Sequence, residues 1–346
     1  MRWKIVAILL VTAGCLALVL WDLDLHAAAQ ALAQTRWPLA TAGLSLYLVL
    51  HLLRSVRLWV LLGGRGASAR GLGLWRVFSI NAVGYLAINV VPLRLGEAVR
   101  PWLLHDREAV PWGRSLAAIV MERLLDFTAL LIMLLGVSWL VELPAEGIVV
   151  HGVDVLRAGQ RLAGTAVVLG VLLGTLVLVA GEPVIRQVQR LPLGALVSSL
   201  LRRFREGFLE LVRRPVLGLL AGLLTVVIWA VTIGAVAIIM ASMPGLPVSL
   251  ASAWTTWTLT LAGMAAVPTP GFFGSYELFC TAALWLFQVD PDRARTFALV
   301  LHLGQLGFTA LLGSGAMLVE GLGLRQLVVR APKPQGAGGE GRGGEV

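Results

Sequence analysis

Charged residues are scarce in this chain, and their scarcity decides its broad class. They make up 14% of the 346 residues, whereas hydrophobic residues make up 58% and the mean hydropathy is +0.85. These values lie far from the balance of a soluble domain. The sequence therefore predicts a polytopic membrane protein, and no segment before the C-terminal tail is polar enough to form a soluble catalytic domain.

Lysine and cysteine are nearly absent. Lysine occurs only at Lys4 and Lys333, so the formal net charge of +9 comes almost wholly from arginine. In a membrane protein, retention of cations on the cytoplasmic side explains such an excess better than nucleic-acid binding does. Cys15 and Cys280 lie in apolar segments and give neither a disulfide framework nor a metal-ligand spacing. We expect no nucleic-acid partner, no metal and no cofactor.

Six apolar segments are long enough to cross a bilayer, since a crossing takes roughly 20 residues. They are residues 5–21, 38–62, 115–141, 161–181, 215–241 and 296–320. The first is interpreted as a retained helix and not a cleaved signal, because its apolar run continues past Cys15 to Trp21. Two further apolar stretches, residues 75–104 and 252–288, are interrupted by proline and glycine.

Loop charges indicate how the interrupted stretches meet the membrane. If residues 75–104 crossed once, the arginine-rich loop 182–214 would be external and the acidic loop 142–160 internal, against the positive-inside rule. If both interrupted stretches enter and leave on one side, every arginine-rich loop and both termini are cytoplasmic. We therefore predict an all-α polytopic membrane protein with six transmembrane helices and two re-entrant hairpins.

The predicted elements repeat. The order helix, helix, hairpin, helix occurs in residues 1–160 and again, starting from the opposite side, in residues 161–325, which predicts an inverted repeat within a single domain 1–325. Interrupted segments at matching places in two halves are the best sequence pointer to a transporter's binding site. The glycine-rich residues 331–346 are predicted to be a disordered cytoplasmic tail.

The first hairpin carries three ionisable residues. Pro92 lacks an N–H and Gly96 tolerates unusual backbone angles, so a helix can end here with free amides. Arg94 and Arg100 offer planar forks of donors to a lipid phosphate, while Glu97 would hold an arginine or carry a proton. The alternative is that these charges brace the bundle, which we disfavour because burying charge is expensive.

The 115–141 segment contains Glu122, Arg123 and Asp126, which lie roughly 10 to 17 Å along a helix that begins at Ser115. One interpretation is that the two carboxylates neutralise hairpin arginines across a cavity, to which Arg123 adds a cation. The other is an arginine–carboxylate lock between helices. Both remain open.

Arg54 and Arg57 lie near the cytoplasmic end of residues 38–62. Snorkelling explains such positions most simply, and from there they would form an entrance that collects anionic headgroups. His51 and His302 have no carboxylate at ligand spacing and are interpreted as hydrogen-bonded packing residues.

The second hairpin contains helix-breaking residues and one ionisable residue, Glu277. The breaks are expected at Pro268, Pro270, Gly271 and Gly274. Glu277 is either a gate or proton site, or a helix N-terminal charge that satisfies free amides.

Four motifs occur in order along the chain: Arg54-x-x-Arg57-Leu-Trp, Asn89-x-x-Pro92-x-Arg94-x-Gly96-Glu97-x-x-Arg100, Glu122-Arg123-x-x-Asp126, and Pro268-x-Pro270-Gly271-x-x-Gly274-x-x-Glu277. Together they resemble the motifs of the lysylphosphatidylglycerol synthase transmembrane-region family, which also covers stand-alone flippase-like proteins. The resemblance implies an integral membrane protein that moves or handles lipids. It adds Asn89 and Gly96 to the expected headgroup site. The C-terminal synthase domain of fused members is not seen here, so synthase activity is not expected.

The resulting expectation is a non-enzymatic translocase in the bacterial cytoplasmic membrane. Its cargo would be an anionic phospholipid or a polyprenyl-phosphate-linked lipid. One alternative is a non-catalytic partner subunit that presents a lipid carrier to a glycosyltransferase or lipid synthase. Another is an intramembrane enzyme that uses Glu122 and Asp126, although no nucleophile, metal set or cofactor motif accompanies them. The sequence leaves open the lipid, the direction of transport and association with a second copy of the chain.

Overall fold

The computed structural model describes residues 10, 12–17, 19, 23–69, 71–90, 96–140, 149–150, 153–154, 181–190, 194, 198–199, 201–202, 205, 209, 213–267 and 269–323. This part of the chain is helical apart from an antiparallel pair, β1 (Val149–Val150) and β2 (Val153–Asp154). Its helices are α1 (Leu25–Gln34), α2 (Trp37–Leu62), α3 (Leu74–Val90), α4 (Val99–Glu108), α5 (Trp112–Leu140), α6 (Glu182–Val188), α7 (Pro215–Ser242), α8 (Leu250–Ala266), α9 (Ser275–Trp285) and α10 (Pro291–Glu320).

Local capping fixes several helix ends. The Asp24 side chain accepts hydrogen bonds from the backbone N–H groups of His26 and Ala27, which starts α1. Ser249 caps α8, and Asp290 caps α10, whose first residue is proline. At the other end of α10, Gly321 adopts the left-handed conformation with φ of 62°.

Four predicted segments correspond to long helices, namely α2, α5, α7 and α10. Of the described helices, three are long and apolar enough to cross a membrane: α2, α7 and α10. The predicted 5–21 segment is helical at residues 12–17, and most of the 161–181 segment and the whole of the 331–346 tail lie outside the described residues. Helix α1 was not predicted.

Both interrupted stretches contain two helices with a break between them. In the first, α3 and α4 pack antiparallel, because Gly84 faces Arg100 while Gly96 faces Ala87, nearer the break. In the second, α8 and α9 pack together, with Gly263 facing Phe279. A Cβ on Gly84 would overlap the Arg100 side chain, so the close approach of α3 and α4 depends on this glycine.

Helix packing is organised around α2 and α7, which contact each other most extensively. Helix α3 packs on α10, and α8 packs on α5. Helix α4 also packs on α5, and α9 on α10. The buried apolar residues form two clusters, one containing Leu58, Val77 and Leu103, the other containing Leu50, Ile239 and Phe297.

Contacts between helix ends define two sides of the bundle. On the first, which we name the Gly63 side, Arg114 donates to the carbonyls of Gly66 and Ala67, so α5 begins where α2 ends. Arg76 near the start of α3 pairs with Glu320 at the end of α10 on the same side. On the second, which we name the Ser242 side, the Arg36 N–H donates to the Ser242 carbonyl, and the Asp24 N–H donates to Asp292.

Candidate functional site

Five ionisable side chains from three helices meet inside the bundle: Arg57 of α2, Arg100 of α4, and Glu122, Arg123 and Asp126 of α5. We name them the charge cluster. The side chains of Arg57, Arg100 and Glu122 are fully buried. The cluster lies between the two apolar clusters along α2 and α5, while the side chains of Arg123 and Asp126 remain 40% and 22% exposed.

Arg57 and Asp126 form a bidentate ion pair. Arg57 Nη1 lies 2.7 Å from Asp126 Oδ1, and Nη2 lies 3.1 Å from Oδ2. Arg57 Nη1 also donates to Thr225 Oγ1 of α7 at 3.0 Å. The expectation that Arg57 snorkels to a headgroup entrance is therefore wrong, because its guanidinium joins α2, α5 and α7 in the interior. The hydrogen-bonded carboxylate of Asp126 offsets the desolvation cost of burying this charge.

Glu122 is the centre of the cluster. Its Oε1 accepts from Arg100 Nη1 and Arg123 Nη2, both at 2.9 Å, while Arg57 Nη2 lies 3.9 Å away. Its Oε2 is buried and has no hydrogen-bond partner in the described part of the chain. Glu122 therefore pairs with the hairpin residue Arg100, as the first interpretation expected, and this pair also joins α4 to α5, as the second expected. Asp126 pairs with Arg57 of α2 instead of a hairpin arginine.

Cations outnumber anions in the cluster. Three arginines face two carboxylates, which leaves one unbalanced positive charge. Arg100 keeps only Nη1 paired, to Glu122 and to Asn81 Oδ1 at 3.1 Å, whereas its Nε and Nη2 are buried without a partner among the described residues. The Nε atoms of Arg57 and Arg123 are also buried without a hydrogen-bond partner among the described residues. Unpaired buried donors are costly, so this arrangement favours an anion that accepts from them.

Tyr85 of α3 contacts two arginines and a histidine, and it was not identified from the sequence. The guanidinium carbons of Arg54 and Arg100 lie 5.3 and 5.4 Å from its ring centroid, within the range of cation–π attraction. The His51 ring lies 5.2 Å away. His51 is buried, and neither ring nitrogen has a hydrogen-bond partner among the described residues, so the expectation of a hydrogen-bonded His51 is wrong.

A second polar group surrounds Glu277 and His302. Glu277 Oε1 lies 2.5 Å from His302 Nδ1, and Glu277 Oε2 accepts from the Gly274 N–H at 2.7 Å. His302 Nε2 lies 3.0 Å from the Gly271 carbonyl oxygen. His302 is therefore hydrogen-bonded, as expected, but its carboxylate partner was missed because it lies 25 residues away on another helix.

Aromatic and amide groups extend this second group toward α2. The rings of Tyr276 and His302 stack with centroids 4.3 Å apart and planes 4° apart. Gln305 Nε2 donates to the hydroxyls of both Tyr276 and Tyr47, at 2.7 and 2.5 Å. Helices α2, α9 and α10 thus share one buried hydrogen-bonded network.

The two breaks lie next to each other. The turn Pro270–Phe272 packs against α3, and a Cβ on Gly271 would stand 3.6 Å from the Asn89 carbonyl oxygen. Gly271 and Gly274 have φ angles of 58° and 82°, which glycine adopts at low cost. Glu97 lies half-buried at the start of the second half of the first hairpin. Arg94, Pro92 and Pro268 lie outside the described residues.

Known proteins resemble this chain in sequence. It is 25% identical to Glycosyltransferase AglD of Haloferax volcanii over 342 residues, a match that covers 92% of this chain and 54% of that protein. The chain thus spans about half the length of this relative. No solved structure matches it. The model of the Lysylphosphatidylglycerol synthase TM region matches residues 4–313, and the chain therefore belongs to that family of membrane proteins.

Proposed function

We propose that this protein is a non-enzymatic translocase for a lipid with an anionic phosphate headgroup, either a phospholipid or a polyprenyl-phosphate-linked lipid. The observation that carries the proposal is the charge cluster, in which three arginines and two carboxylates meet between the helices and several buried guanidinium N–H groups find no acceptor in the part of the chain that the structure describes. A phosphate supplies the acceptors and the negative charge that this cluster lacks.

Arg100 and Arg123 are the proposed phosphate ligands. Arg100 is fully buried and two of its nitrogens have no partner among the described residues, whereas the Arg123 side chain is 40% exposed and pairs with Glu122 at 2.9 Å. In the empty site, Glu122 is the counter-charge of Arg100 and Arg123. A phosphate that binds both arginines would draw their guanidinium groups away from Glu122. Arg94 and the Gly96 amide belong to the same break, and Arg54 on the Tyr85 ring is proposed as the entrance.

The re-entrant topology is supported by the packing pattern. When α2 to α5 are exchanged for α7 to α10 in order, the α2–α7 contact maps onto itself and α3–α10 maps onto α8–α5. The α4–α5 contact likewise maps onto α9–α10, and α3–α4 onto α8–α9. This exchange is what a twofold-related pair of halves requires, and it matches the proposed repeats 1–160 and 161–325.

The side contacts support the proposed orientation. Of the described residues, the Gly63 side holds Arg65, Arg76, Arg107, Arg114 and Arg214, whereas the Ser242 side holds fewer arginines, Arg36, Arg293 and Arg295, together with Asp24, Asp290 and Asp292. The positive-inside rule places the Gly63 side in the cytoplasm. In a bacterial inner membrane, this orientation gives a cytoplasmic C-terminus.

Depth along the helices supports a transport route. Glu122 lies ten residues from the start of α5 on the Gly63 side, and His302 lies eleven residues from the start of α10 on the Ser242 side. At 1.5 Å per residue, each lies roughly 15 Å inward from opposite sides. The two breaks would then open alternately around the region where Asn89 and Gly271 meet.

A second candidate function follows from the relative named as a glycosyltransferase, which is about twice as long as this chain. In this proposal the chain is a membrane partner that presents a lipid carrier to a separate enzyme. It uses the same phosphate site but moves no lipid by itself, so a transport assay with purified protein separates the two candidates.

The test is translocation of fluorescent phosphatidylglycerol and fluorescent phosphatidylcholine in proteoliposomes, read by chemical quenching of the outer leaflet. We expect wild-type protein to move the anionic lipid faster and Arg123→Gln to abolish that preference. Arg107→Gln is the matched control because it removes the same charge from a similarly exposed position on α4 that lies outside the charge cluster. Equal rates in wild type and Arg123→Gln would refute the proposed phosphate site.

A further inference from the structure

Both contacts of His302 are hydrogen bonds at the same time only when the Glu277–His302 pair holds one more proton than a neutral imidazole and a carboxylate do. His302 Nε2 faces the Gly271 carbonyl oxygen at 3.0 Å, and because a carbonyl only accepts, this contact is a hydrogen bond when Nε2 carries hydrogen. His302 Nδ1 faces Glu277 Oε1 at 2.5 Å. Two lone pairs cannot face each other at that distance, so a second proton lies between these atoms. The pair binds this proton whether it is drawn as imidazolium and carboxylate or as imidazole and carboxylic acid.

This proton ties the second break to α10. Glu277 also accepts from the Gly274 N–H, and His302 also holds the Gly271 carbonyl. The two residues therefore bind both sides of the turn between them. Removal of the shared proton leaves two facing lone pairs and a net negative charge on side chains that are 0% and 3% exposed. Separation of α9 from α10 would relieve that cost.

The corresponding tie at the first break cannot lose a proton. Arg100 is the second residue of α4 and Glu122 the eleventh of α5, whereas Glu277 is the third residue of α9 and His302 the twelfth of α10. The two ion pairs thus occupy matching places in the two halves. Arginine stays charged in proteins, so the Arg100–Glu122 pair does not break by loss of a proton as pH rises. The Glu277–His302 pair depends on its shared proton.

The surroundings of Glu277 supply no fixed positive charge in the described part of the chain. Its ion-pair partner there is His302. Tyr276 stacks on His302, Cys280 lies buried one turn along α9, and Gln305 links Tyr276 to α2. These groups are polar or weakly acidic, so within the described residues the negative charge left by proton loss has no adjacent cation.

A polar seam connects the pair to the charge cluster. Gln305 donates to Tyr47, and Tyr47, His51 and Ser55 follow at successive turns of α2. Ser55 accepts from Asn81, which in turn accepts from Arg100. His51 has two unpaired buried nitrogens in the middle of this row.

We propose that the Glu277–His302 pair is a proton-binding site that controls the second break, so that α9 is held against α10 when the proton is bound and is released when it leaves. The polar seam gives this site its link to the charge cluster. Its use in transport rests on the proposed function, but proton control of the break does not.

The test uses Cys280, which is fully buried on α9. In a Cys15→Ala background it is the one cysteine of the chain, and its maleimide labelling reports the release of α9. Labelling is measured in the full chain, in nanodiscs, from about pH 5 to about pH 9. Glu277→Gln is the comparison, because its amide donates to neutral His302 and its carbonyl accepts from Gly274 without an exchangeable proton.

We expect the labelling rate of the Glu277 protein to rise with pH roughly tenfold more than that of Glu277→Gln, as loss of a charge-assisted hydrogen bond implies. Labelling of the unfolded chain at each pH measures the contribution of thiol ionisation, and each native rate is divided by it. Identical pH profiles would overturn the proposal. His302→Phe tests it independently should Glu277→Gln not fold: fast labelling at every pH supports it, and wild-type rates at low pH contradict it. Neither labelling measurement requires lipid transport. A protein that moves no lipid can therefore still confirm or refute proton control of the second break.

Discussion

The guanidinium of Arg57 and the carboxylate of Asp126 face each other as a bidentate pair, with two hydrogen bonds of 2.7 and 3.1 Å. Because Thr225 accepts a third bond from Arg57 at 3.0 Å, this pair joins one half of the chain to the other through α7. This pair stabilises the fold, whereas the partly exposed Arg123 is the proposed phosphate ligand.

Asp126→Ala should destabilise the bundle. It leaves the fully buried Arg57 with Glu122 at 3.9 Å as its remaining carboxylate, and an uncompensated buried charge costs about 3 kcal/mol. Thermal unfolding in detergent measures the loss. The double variant Arg57→Met with Asp126→Leu is the control, since an apolar pair of similar size should recover most of the stability. A single variant as stable as wild type would contradict the role assigned to the pair.

Gly84→Ala should separate α3 from α4. The added Cβ overlaps the Arg100 side chain, so we expect a loss of about 1 to 3 kcal/mol in the free energy of unfolding, typical of overpacking. Gly234→Ala on α7 is the matched control, because its Cβ meets nothing within 4 Å and alanine favours a helix by about 1 kcal/mol. The prediction fails if both variants are stabilised.

Gly274→Ala should disturb the second break by two effects. Its φ of 82° is unfavourable for alanine, and the new Cβ would lie 2.6 Å from the Cys15 Cβ. Gly321→Ala measures the cost of a positive φ in the left-handed helical region, since Gly321 has φ of 62° and ψ of 34° and its Cβ would meet none of the described residues within 4 Å, whereas Gly274 has ψ of −51°, outside that region. We expect a loss of roughly 1 to 2 kcal/mol for Gly321→Ala and a larger loss for Gly274→Ala, measured by thermal unfolding. Equal losses would show that the contact with Cys15 contributes nothing.

Tyr85→Ala should weaken anionic-lipid translocation roughly thirtyfold, because Arg54 and Arg100 lose the ring that orients them and a desolvated cation–π contact contributes about 2 kcal/mol. Tyr85→Phe keeps the ring and should stay close to wild type, since the Tyr85 hydroxyl lies 3.5 Å from Glu122, at the limit of a hydrogen bond. The proteoliposome assay compares the two variants. A large loss in Tyr85→Phe would assign the role to the hydroxyl instead of the ring.

The long helices and the two breaks were predictable because apolar length, proline and glycine act locally. Helix α1 was missed, although Asp24 before an alanine-rich run is an N-cap signal. Pairing was less accessible. Arg57 and Asp126 are 69 residues apart, so the sequence did not indicate that they pair. Because Arg57 lies near the end of α2, we expected its side chain to be exposed, whereas the fold buries it. The partner of Glu277 was missed for the same reason, because the contact between α9 and α10 is set by tertiary packing.

Under the proposed function, the proximity of Asn89 to Gly271 sets the thickness of the wall that separates the two sides of the membrane. A Cβ on Gly271 would stand 3.6 Å from the Asn89 carbonyl, so the end of α3 and the turn after α8 are about one side chain apart at this point. Under the proposed function, a headgroup that reaches this wall from either leaflet has already covered most of the roughly 30 Å hydrocarbon thickness. Modest displacement of a single turn would then complete the passage, without tilting the long helices.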